Sequence, residues 1–239
     1  LLQRKVGGLR DWGGECDTKV DDFRLMIGHL CDAGVDLARA RLLEIGTGWY
    51  PTFPFCLHLL GAPSIATFDL NRYLKPELVV GLTRRLEHHL PLLAELGAVR
   101  ARYDRLLAAV IAAPTDLGGA TDGAVAYHAP ADASDTRLPA GSIDVVFSNS
   151  VLEHVPGPVI AQIFVESARV LSPDGLMFHS VNCGDHYAYG DRSITQLNYL
   201  QFSEAAWRPW NNAFLYQNRL RAIDFVELAG AAGFTIAAS

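Results

Sequence analysis

Hydrophobic residues occur in this chain as short continuous runs that alternate with longer segments of helical periodicity. Apolar runs bounded by glycine, proline or polar residues predict strands, and apolar residues spaced three or four positions apart predict helices. Their regular alternation favours an α/β fold, a doubly wound and mostly parallel sheet with helices on both faces. The predicted strands are residues 41–45, 65–68, 124–128, 143–148, 176–181 and 234–237, and the helices between them include 52–60, 158–171 and 222–232.

A helix is also predicted ahead of the first strand. Residues 18–33 place Val20, Phe23, Ile27 and Leu30 on one face, and Gly34 follows near the end of the helix. Such a helix either covers the sheet or borders a ligand site at its edge. We therefore treat residues 1–40 as an N-terminal helical segment bordering the site, and residues 41–239 as the main domain.

Two segments are longer than a simple connection requires. Residues of about 72–115 contain Pro76, which can begin a helix, and Pro91, where a second helix is predicted to begin. This helical insertion between strands two and three offers a cap or the surface of a homodimer. A second insertion, residues of about 183–220, follows strand five and is rich in aromatic and amide side chains.

Composition narrows the classes of function. The formal net charge is −6 and no long Lys/Arg run occurs, so we expect no nucleic-acid partner. No apolar run approaches the roughly 18 residues of a membrane span, and no secretory signal is visible, so we expect no membrane partner. Four scattered cysteines without C-x-x-C spacing predict reduced thiols in a cytoplasmic protein and no metal site. Because the chain begins at Leu1 rather than Met, we expect its natural N-terminus to lie upstream.

The most specific motif lies where the first predicted strand ends. Residues 42–48, Leu-Leu-Glu-Ile-Gly-Thr-Gly, form a buried strand that enters a glycine turn, and Asp69 ends the second strand. Glycines at a strand-to-helix turn let the backbone approach a ligand closely. An acid at the end of the next strand can accept hydrogen bonds from ribose hydroxyls. We therefore predict a nucleoside-containing cofactor at this turn.

The same turn argues against a dinucleotide. Pro51 occupies the place of the third glycine in the G-x-G-x-x-G fingerprint, after the bulky Trp49 and Tyr50. Glu44 would repel a pyrophosphate, whereas it would attract a cation such as the amino group of an amino-acid tail. An NAD-dependent reductase or epimerase, which would also need a Tyr-x-x-x-Lys pair, is a remote alternative. A non-catalytic nucleoside-binding module is another.

Four ordered segments resemble motifs of the class I S-adenosylmethionine-dependent methyltransferases. They are the acid-glycine turn with Asp69, residues 132–148, residues 151–155 (Val-Leu-Glu-His-Val) and residues 169–176. The resemblance covers about residues 40–182 and implies a Rossmann-like fold, with S-adenosylmethionine as methyl donor and S-adenosylhomocysteine as product. Residues 185–187 and 218–221 resemble a subgroup of small-molecule enzymes seen in glycan and natural-product pathways.

This resemblance also implies which residues surround the cofactor. Asp132 is expected to accept a hydrogen bond from the exocyclic amine of adenine, and the amide of Ala133 to donate to a ring nitrogen. Asp135 is the alternative to Asp132, but the spacing from Asp132 to Asp144 fits the family better. The expected cofactor residues are Glu44, Gly46, Thr47, Gly48, Asp69, Leu70, Asp132, Ala133 and Asn149.

The candidates for catalysis follow strands four and five. Methyl transfer from a sulfonium needs alignment and exclusion of water, and a hydroxyl acceptor benefits from a general base. His186 directly follows strand five, where open α/β sheets bind ligands, and is expected to be the base, with Asp185 orienting it. His154, after strand four, is the second candidate or part of the pocket floor. His179, inside strand five, is expected to be packed.

The second insertion supplies candidates for binding the acceptor. Aromatic side chains with polar edges suit a pocket for a ring or a sugar, although they can instead form a satellite core. The leading hypothesis is an O-methyltransferase that acts on a hydroxyl of a sugar or natural product. An N-methyltransferase, which would hold an amine without a strong base, is the alternative. The expected substrate residues are Tyr187, Tyr189, Trp207, Asn218 and Arg219.

Overall fold

The computed structural model describes residues 12–212 and 216–237. Within them, five parallel strands form one sheet in the order β3-β2-β1-β4-β5, which confirms the predicted α/β class. The chain order reverses between β1 and β4, the point at which open α/β sheets bind ligands. The strands are β1 (Arg41–Ile45), β2 (Ser64–Phe68), β3 (Val125–His128), β4 (Ile143–Asn149) and β5 (Leu171–Ser180).

Helices cover both faces of the sheet, and successive residues of a strand pack into two separate cores. Leu42 packs into the core formed with the first four helices, whereas Leu43 packs into the core on the opposite face. Burial on both faces explains why the central strands are almost continuously apolar. The helices are α1 (Trp12–Asp32), α2 (Thr52–Leu60), α3 (Pro76–Glu95), α4 (Arg100–Ala112), α5 (Leu117–Ala120), α6 (Gly157–Val170), α7 (Glu204–Trp207) and α8 (Ala222–Ala231).

The helical insertion differs from prediction at Pro91. This proline does not begin a helix but lies inside α3, and the next helix begins at Arg100. A proline removes the hydrogen bond to the carbonyl four residues earlier. That carbonyl belongs to Glu87, an exposed residue that water can solvate, while the fully buried Leu93 holds the last turn against the core.

The predicted sixth strand is wrong, because residues 234–237 have no regular structure. Gly233 has a φ of +94°, and the amide of Phe234 bonds to the carbonyl of Ala229 at 3.0 Å. This segment therefore caps α8, and Phe234 packs against the second core instead of extending the sheet. The predicted N-terminal helix begins at Trp12, and residues 1–11 lie outside the described residues. None of the helices described is long and apolar enough to cross a membrane.

Candidate cofactor and acceptor site

The turn after β1 has the left-handed backbone that favours glycine. Gly46 and Gly48 have φ values of +85° and +73°, which other residues rarely adopt. A Cβ atom at Gly46 would overlap the side chain of Val151, so this glycine makes room for the segment after β4. At Gly48, no described atom lies within 4 Å of the Cβ position. Gly46 therefore serves packing, and Gly48 leaves space beside the turn.

Asp69 directly follows β2 and bonds to this turn. Its Oδ2 accepts a hydrogen bond from the amide of Gly48 at 2.8 Å. Burial raises the pKa of Asp69 to about 6, although the bond from Gly48 partly counteracts the effect. The carboxylate thus fixes the turn and lies where the ribose acceptor is expected.

Glu44 lies buried beneath the same turn. Its Oε2 accepts a hydrogen bond from Oγ1 of Thr67 at 2.5 Å, and the Thr67 hydroxyl also bonds to that of Thr47. Burial raises the pKa of Glu44 to about 7, while the Thr67 bond and the charge of Lys19 act in the opposite direction. A cationic ligand beside the turn would stabilise the ionised carboxylate. Glu44 can therefore respond to the amino group of an amino-acid tail.

Helix α1 brings Lys19 close to the glycine turn after β1. The Nζ atom of Lys19 lies 5.0 Å from the centre of the Tyr50 ring, and its charge lowers the pKa of Glu44 and of Asp69. Sequence analysis did not identify Lys19, because the helical pattern marks the buried face and not its polar neighbours. The only local signal is that Lys19 directly precedes Val20, a fully buried residue.

Two further predicted cofactor residues lie at strand ends. Asn149 ends β4, and its Nδ2 donates to Oδ2 of Asp22 on α1 at 2.9 Å. Leu70 follows Asp69 and is 67% exposed. Asn149 therefore joins β4 to α1, whereas Leu70 presents an apolar surface beside the turn.

The loop between β3 and β4 contains the predicted adenine residues. Oδ1 of Asp132 accepts hydrogen bonds from the amide and the hydroxyl of Ser134, at 2.8 and 2.7 Å, which forms an Asx turn. Ala133 packs partly buried against the second core. The competing Asp135 is exposed and lies 3.6 Å from Arg137. Local bonding at Oδ1 leaves the second oxygen of Asp132 as the candidate acceptor for adenine.

The other half of the site lies where β4 and β5 end. A 3₁₀ turn, Leu152–His154, follows β4, and a second, His186–Tyr189, follows β5. The ring centroids of His154 and His186 are 5.1 Å apart. Glu153, His154 and His186 each offer one ligand atom, and these three atoms lie within 4.8 Å of one another. We call these residues the histidine–glutamate cluster; sequence analysis missed Glu153, although it lies inside the Val-Leu-Glu-His-Val motif.

Hydrogen bonding and burial indicate where the side chains of this cluster carry protons. Nδ1 of His154 lies 2.9 Å from the carbonyl oxygen of Tyr216; a carbonyl only accepts, so Nδ1 carries the proton and Nε2 the lone pair. Burial lowers the pKa of His186 to about 4, so its ring is neutral near pH 7. Burial raises the pKa of Glu153. Oε2 of Glu153 and Nε2 of His186 are buried without a partner among the described residues.

Asp185 does not form the predicted side-chain pair with His186. Its Oδ1 accepts from the amide of Tyr187 at 2.9 Å, and its Oδ2 accepts from Nδ2 of Asn198 at 3.1 Å. Asp185 is fully buried and is the N-cap of the turn that begins at His186. It therefore positions the backbone of His186 and not the imidazole.

Asn218 and Arg219, predicted to bind the acceptor, bond to the backbone instead. Nδ2 of Asn218 donates to the carbonyls of Leu152 and Val155 at 2.6 and 2.8 Å. Nη1 of Arg219 donates to the carbonyl of Tyr199 at 3.0 Å. These contacts hold the two loops together, a need that the sequence pattern does not reveal.

The aromatic residues of the second insertion divide into buried and exposed members. Trp207 is buried, with its ring centroid 5.9 Å from that of Tyr199, so it belongs to a satellite core and not to a pocket lining. The hydroxyl of Tyr187 donates to the carbonyl of Trp210 at 2.8 Å. Tyr189 is exposed, and its ring centroid lies 5.6 Å from that of His186. Of these predicted substrate residues, Tyr189 is the one at the open side of the cluster.

Comparisons with known proteins give a partial match to one family and a shared fold. A model of the methyltransferase domain family matches residues 104–179, about a third of the chain. None of the curated proteins compared matches the sequence. An S-adenosylmethionine-dependent methyltransferase from Mesorhizobium loti is 18% identical with a TM-score of 0.52, over 87% of this chain and 80% of that one.

Two other solved structures are similar to this chain. A cyclopropane synthase from Mycobacterium tuberculosis is 15% identical, with a TM-score of 0.52 over 92% of this chain and 61% of that one. A geranyl diphosphate C-methyltransferase from Streptomyces coelicolor is 14% identical, with a TM-score of 0.50 over 87% and 59%. The chain spans about three fifths of the length of several structures that it matches.

The structural likeness shows the fold, and the family match covers the second half of the sheet, from α4 to β5. The acid-glycine turn at the switch point lies outside the matched residues 104–179. This chain therefore shares the fold of S-adenosylmethionine-dependent methyltransferases, and its residues 104–179 match the methyltransferase domain family.

Proposed function

We propose that this methyltransferase transfers the methyl group of S-adenosylmethionine to a hydroxyl of a small molecule, a sugar or natural product. One observation carries the proposal: the acidic turn after β1 and the histidine–glutamate cluster lie at the same edge of the parallel sheet. The turn suits a cationic amino-acid tail and a ribose. The cluster supplies imidazole and carboxylate groups that suit a hydroxyl and not an unactivated carbon.

In this proposal the cofactor lies across β1, β2 and the loop after β3. Glu44 faces the amino group of the tail, with Gly46, Thr47 and Gly48 around it, and Asp69 accepts from the ribose hydroxyls. Buried carboxylates with raised pKa values are suited to ligands that stabilise their ionised forms. Leu70, Asp132, Ala133 and Asn149 complete the expected contacts around the ribose and adenine.

The acceptor is proposed to lie against the histidine–glutamate cluster. His186 alone would be a weak base, because its pKa is lowered to about 4. Either its unpartnered Nε2 or the unpartnered Oε2 of Glu153 can nevertheless accept the one hydrogen bond that an acceptor hydroxyl donates. We therefore assign the hydroxyl to the cluster as a unit, with Tyr189 at its open side.

Methyl-labelled S-adenosylmethionine tests this function against a panel of hydroxylated sugars, aromatic natural products and amines. We expect labelled O-methyl products, detected by mass spectrometry. His186→Gln should lower turnover by roughly 10²-fold or more, with the affinity for S-adenosylhomocysteine unchanged. His88→Gln, an exposed site on α3, is the matched control and should retain full turnover. Transfer to amines alone, with His186→Gln fully active, would favour the N-methyltransferase alternative.

We also propose a cytoplasmic protein that acts on small molecules and not on nucleic acids, supported by the net charge of −6 and four unpaired cysteines. The helical insertion of α3 and α4 is the proposed surface of a homodimer. Sedimentation analysis of the purified chain would detect or exclude that dimer.

A further inference from the structure

We propose that Glu153, His154 and His186 form a binding site for a divalent transition metal ion, zinc first among them. The cluster offers one carboxylate and two imidazole ligands, whose ligand atoms lie within 4.8 Å of one another. The inference deepens the proposed function, since a metal here would hold the acceptor oxygen. Metal binding itself is nevertheless a separate property that can be measured without an acceptor.

The first support is that two ligand atoms in the cluster are buried and unpartnered. Glu153 is 2% exposed, and its Oε2 has no hydrogen-bond partner among the described residues. Nε2 of His186 is likewise buried without a partner there. Buried polar atoms normally have partners, and a single bound cation would satisfy both atoms at once.

The second support is the way in which three consecutive residues hold the three ligand residues. The carbonyl of Tyr216 accepts from Nδ1 of His154 at 2.9 Å, which leaves the lone pair on Nε2 for a metal. Oε1 of Gln217 accepts from the amide of His186 at 3.1 Å.

The third of these residues, Asn218, holds the backbone of the turn that contains Glu153. Its amide donates to the carbonyl of Glu153 at 2.8 Å, and its side chain donates to the carbonyls on either side, those of Leu152 and Val155. Residues 216–218 therefore hold the backbone of the cluster, and Tyr216 also orients the imidazole of His154, as outer contacts of metal ligands commonly do.

The donor set favours zinc or a related transition ion over magnesium or calcium. Two imidazoles and one carboxylate suit zinc, whereas magnesium and calcium prefer oxygen ligands alone. Zinc bonds of about 2.0–2.1 Å separate tetrahedral ligands by roughly 3.3 Å, so rotation of side chains must bring the ligand atoms closer together by up to about 1.5 Å. His154 is exposed, which leaves a fourth position open to water or an acceptor.

This site uses no cysteine, so the cysteine spacing that predicted no metal does not bear on it. A coordinated hydroxyl would have a lowered pKa, and its proton would pass to water at the exposed side of the cluster. With a metal bound, His154 and His186 act as ligands, and His186 is not the proton acceptor first predicted. The acceptor oxygen would then be held at the carboxyl ends of β4 and β5.

Titration of chelator-treated protein with Zn²⁺, in competition with a chromophoric chelator, tests the site. We expect one ion per chain, a rise in Tm on binding, and a visible absorption band when Co²⁺ replaces Zn²⁺. Glu153→Gln, His154→Gln and His186→Gln should each weaken binding by at least about tenfold. His88→Gln should bind as the unaltered chain does, and Mg²⁺ should bind far more weakly than Zn²⁺.

Two results would overturn the metal site. One is that the unaltered chain does not bind Zn²⁺, and the other is that all three ligand variants bind it as tightly as the unaltered chain does. If one variant does not fold, as judged by circular dichroism, the other two variants and the Co²⁺ spectrum of the unaltered chain still test whether the cluster binds a metal. Calorimetry with S-adenosylhomocysteine on the same samples separates the two proposals. Retained cofactor binding without Zn²⁺ binding rejects the metal site alone, whereas loss of cofactor binding rejects the proposed function.

Discussion

At the scale of single residues, the site depends on two buried acids beneath one glycine turn. Glu44 and Asp69 both have pKa values raised by burial, to about 7 and about 6. Each is held by a neighbouring donor, Thr67 for Glu44 and Gly48 for Asp69. Their ionised forms are therefore incompletely stabilised by the protein, and a ligand that is cationic or rich in hydroxyls stabilises them further.

The raised pKa values of Glu44 and Asp69 predict that cofactor affinity depends on pH. If ligand binding favours both ionised acids, binding releases protons, and affinity falls as pH decreases through 7 and 6. We expect roughly tenfold weaker binding of S-adenosylhomocysteine at pH 6 than at pH 8, most of it from Glu44. Calorimetry in two buffers of different ionisation enthalpy measures both affinity and proton release. Equal affinities at pH 6 and pH 8, or the same pH dependence in Glu44→Gln, would contradict this role.

At the scale of elements, the segment that contains Asn218 holds the turn after β4. If Asn218 is structural and not substrate-binding, Asn218→Ala removes the side-chain bond to the carbonyl of Val155 and leaves the carbonyl of Leu152 with the bond from the amide of Val155. We expect a loss of about 1–3 kcal/mol in the free energy of unfolding, measured with urea. Affinity for S-adenosylhomocysteine should stay unchanged, because the cofactor turn is formed by other elements. Undiminished stability in this variant would show that the hydrogen bonds of the Asn218 side chain do not stabilise the fold.

The opposite edge of the sheet carries an ion pair that joins β1 to β4. Asp144 accepts hydrogen bonds from the guanidinium of Arg41 at 2.7 and 2.9 Å, and these bonds hold the pKa of Asp144 well below its usual range. Both side chains are partly exposed, so we expect Asp144→Asn to cost only about 1–2 kcal/mol at pH 7.

The contribution of Asp144 should depend on pH in one direction. A carboxyl with a depressed folded-state pKa stabilises the protein above its unfolded pKa, near 3.9, and the stabilisation is lost as pH falls further. The difference between Asp144→Asn and the unaltered chain should therefore shrink below about pH 4. Asp104→Asn, in an exposed pair on α4, is the control and should stay within about 0.5 kcal/mol. A difference that grows toward low pH would contradict the ion-pair account.

The sequence predicts elements well where one local pattern decides them. Strand β1 and helix α2 have the predicted bounds, because Gly46 follows the apolar run of β1 and Pro51 and Gly61 flank that of α2. The break predicted at Pro91 is wrong because tertiary packing of Leu93 outweighs a local preference. Residues 234–237 show the same limit, since an apolar segment beside a sheet can cap a helix instead of joining the strands.

At the scale of the whole molecule, the sequence predicts the acid-glycine turn and does not predict the histidine–glutamate cluster. The turn at Gly46–Gly48 and the acid at Asp69 follow from sequence order along two adjacent strands. Glu153 and Lys19 become part of the site only when distant elements meet, and neither stands out by residue type. Asn218, Arg219 and Trp207 look like binding residues in sequence, but the insertion uses them for its own packing.

The central claim is that S-adenosylmethionine binds at the glycine turn after β1, beside Asp69. Isothermal titration of the purified chain with S-adenosylhomocysteine tests it most directly, with Asp69→Ala, Asp69→Asn and the exposed control Asp135→Asn. We predict one site per chain and a loss of roughly 2–4 kcal/mol of binding free energy in Asp69→Ala. Asp69→Asn, which can still accept the bond from Gly48, should also bind weakly, and Asp135→Asn normally. No binding by the unaltered chain, or unchanged affinity in Asp69→Ala, would contradict the claim.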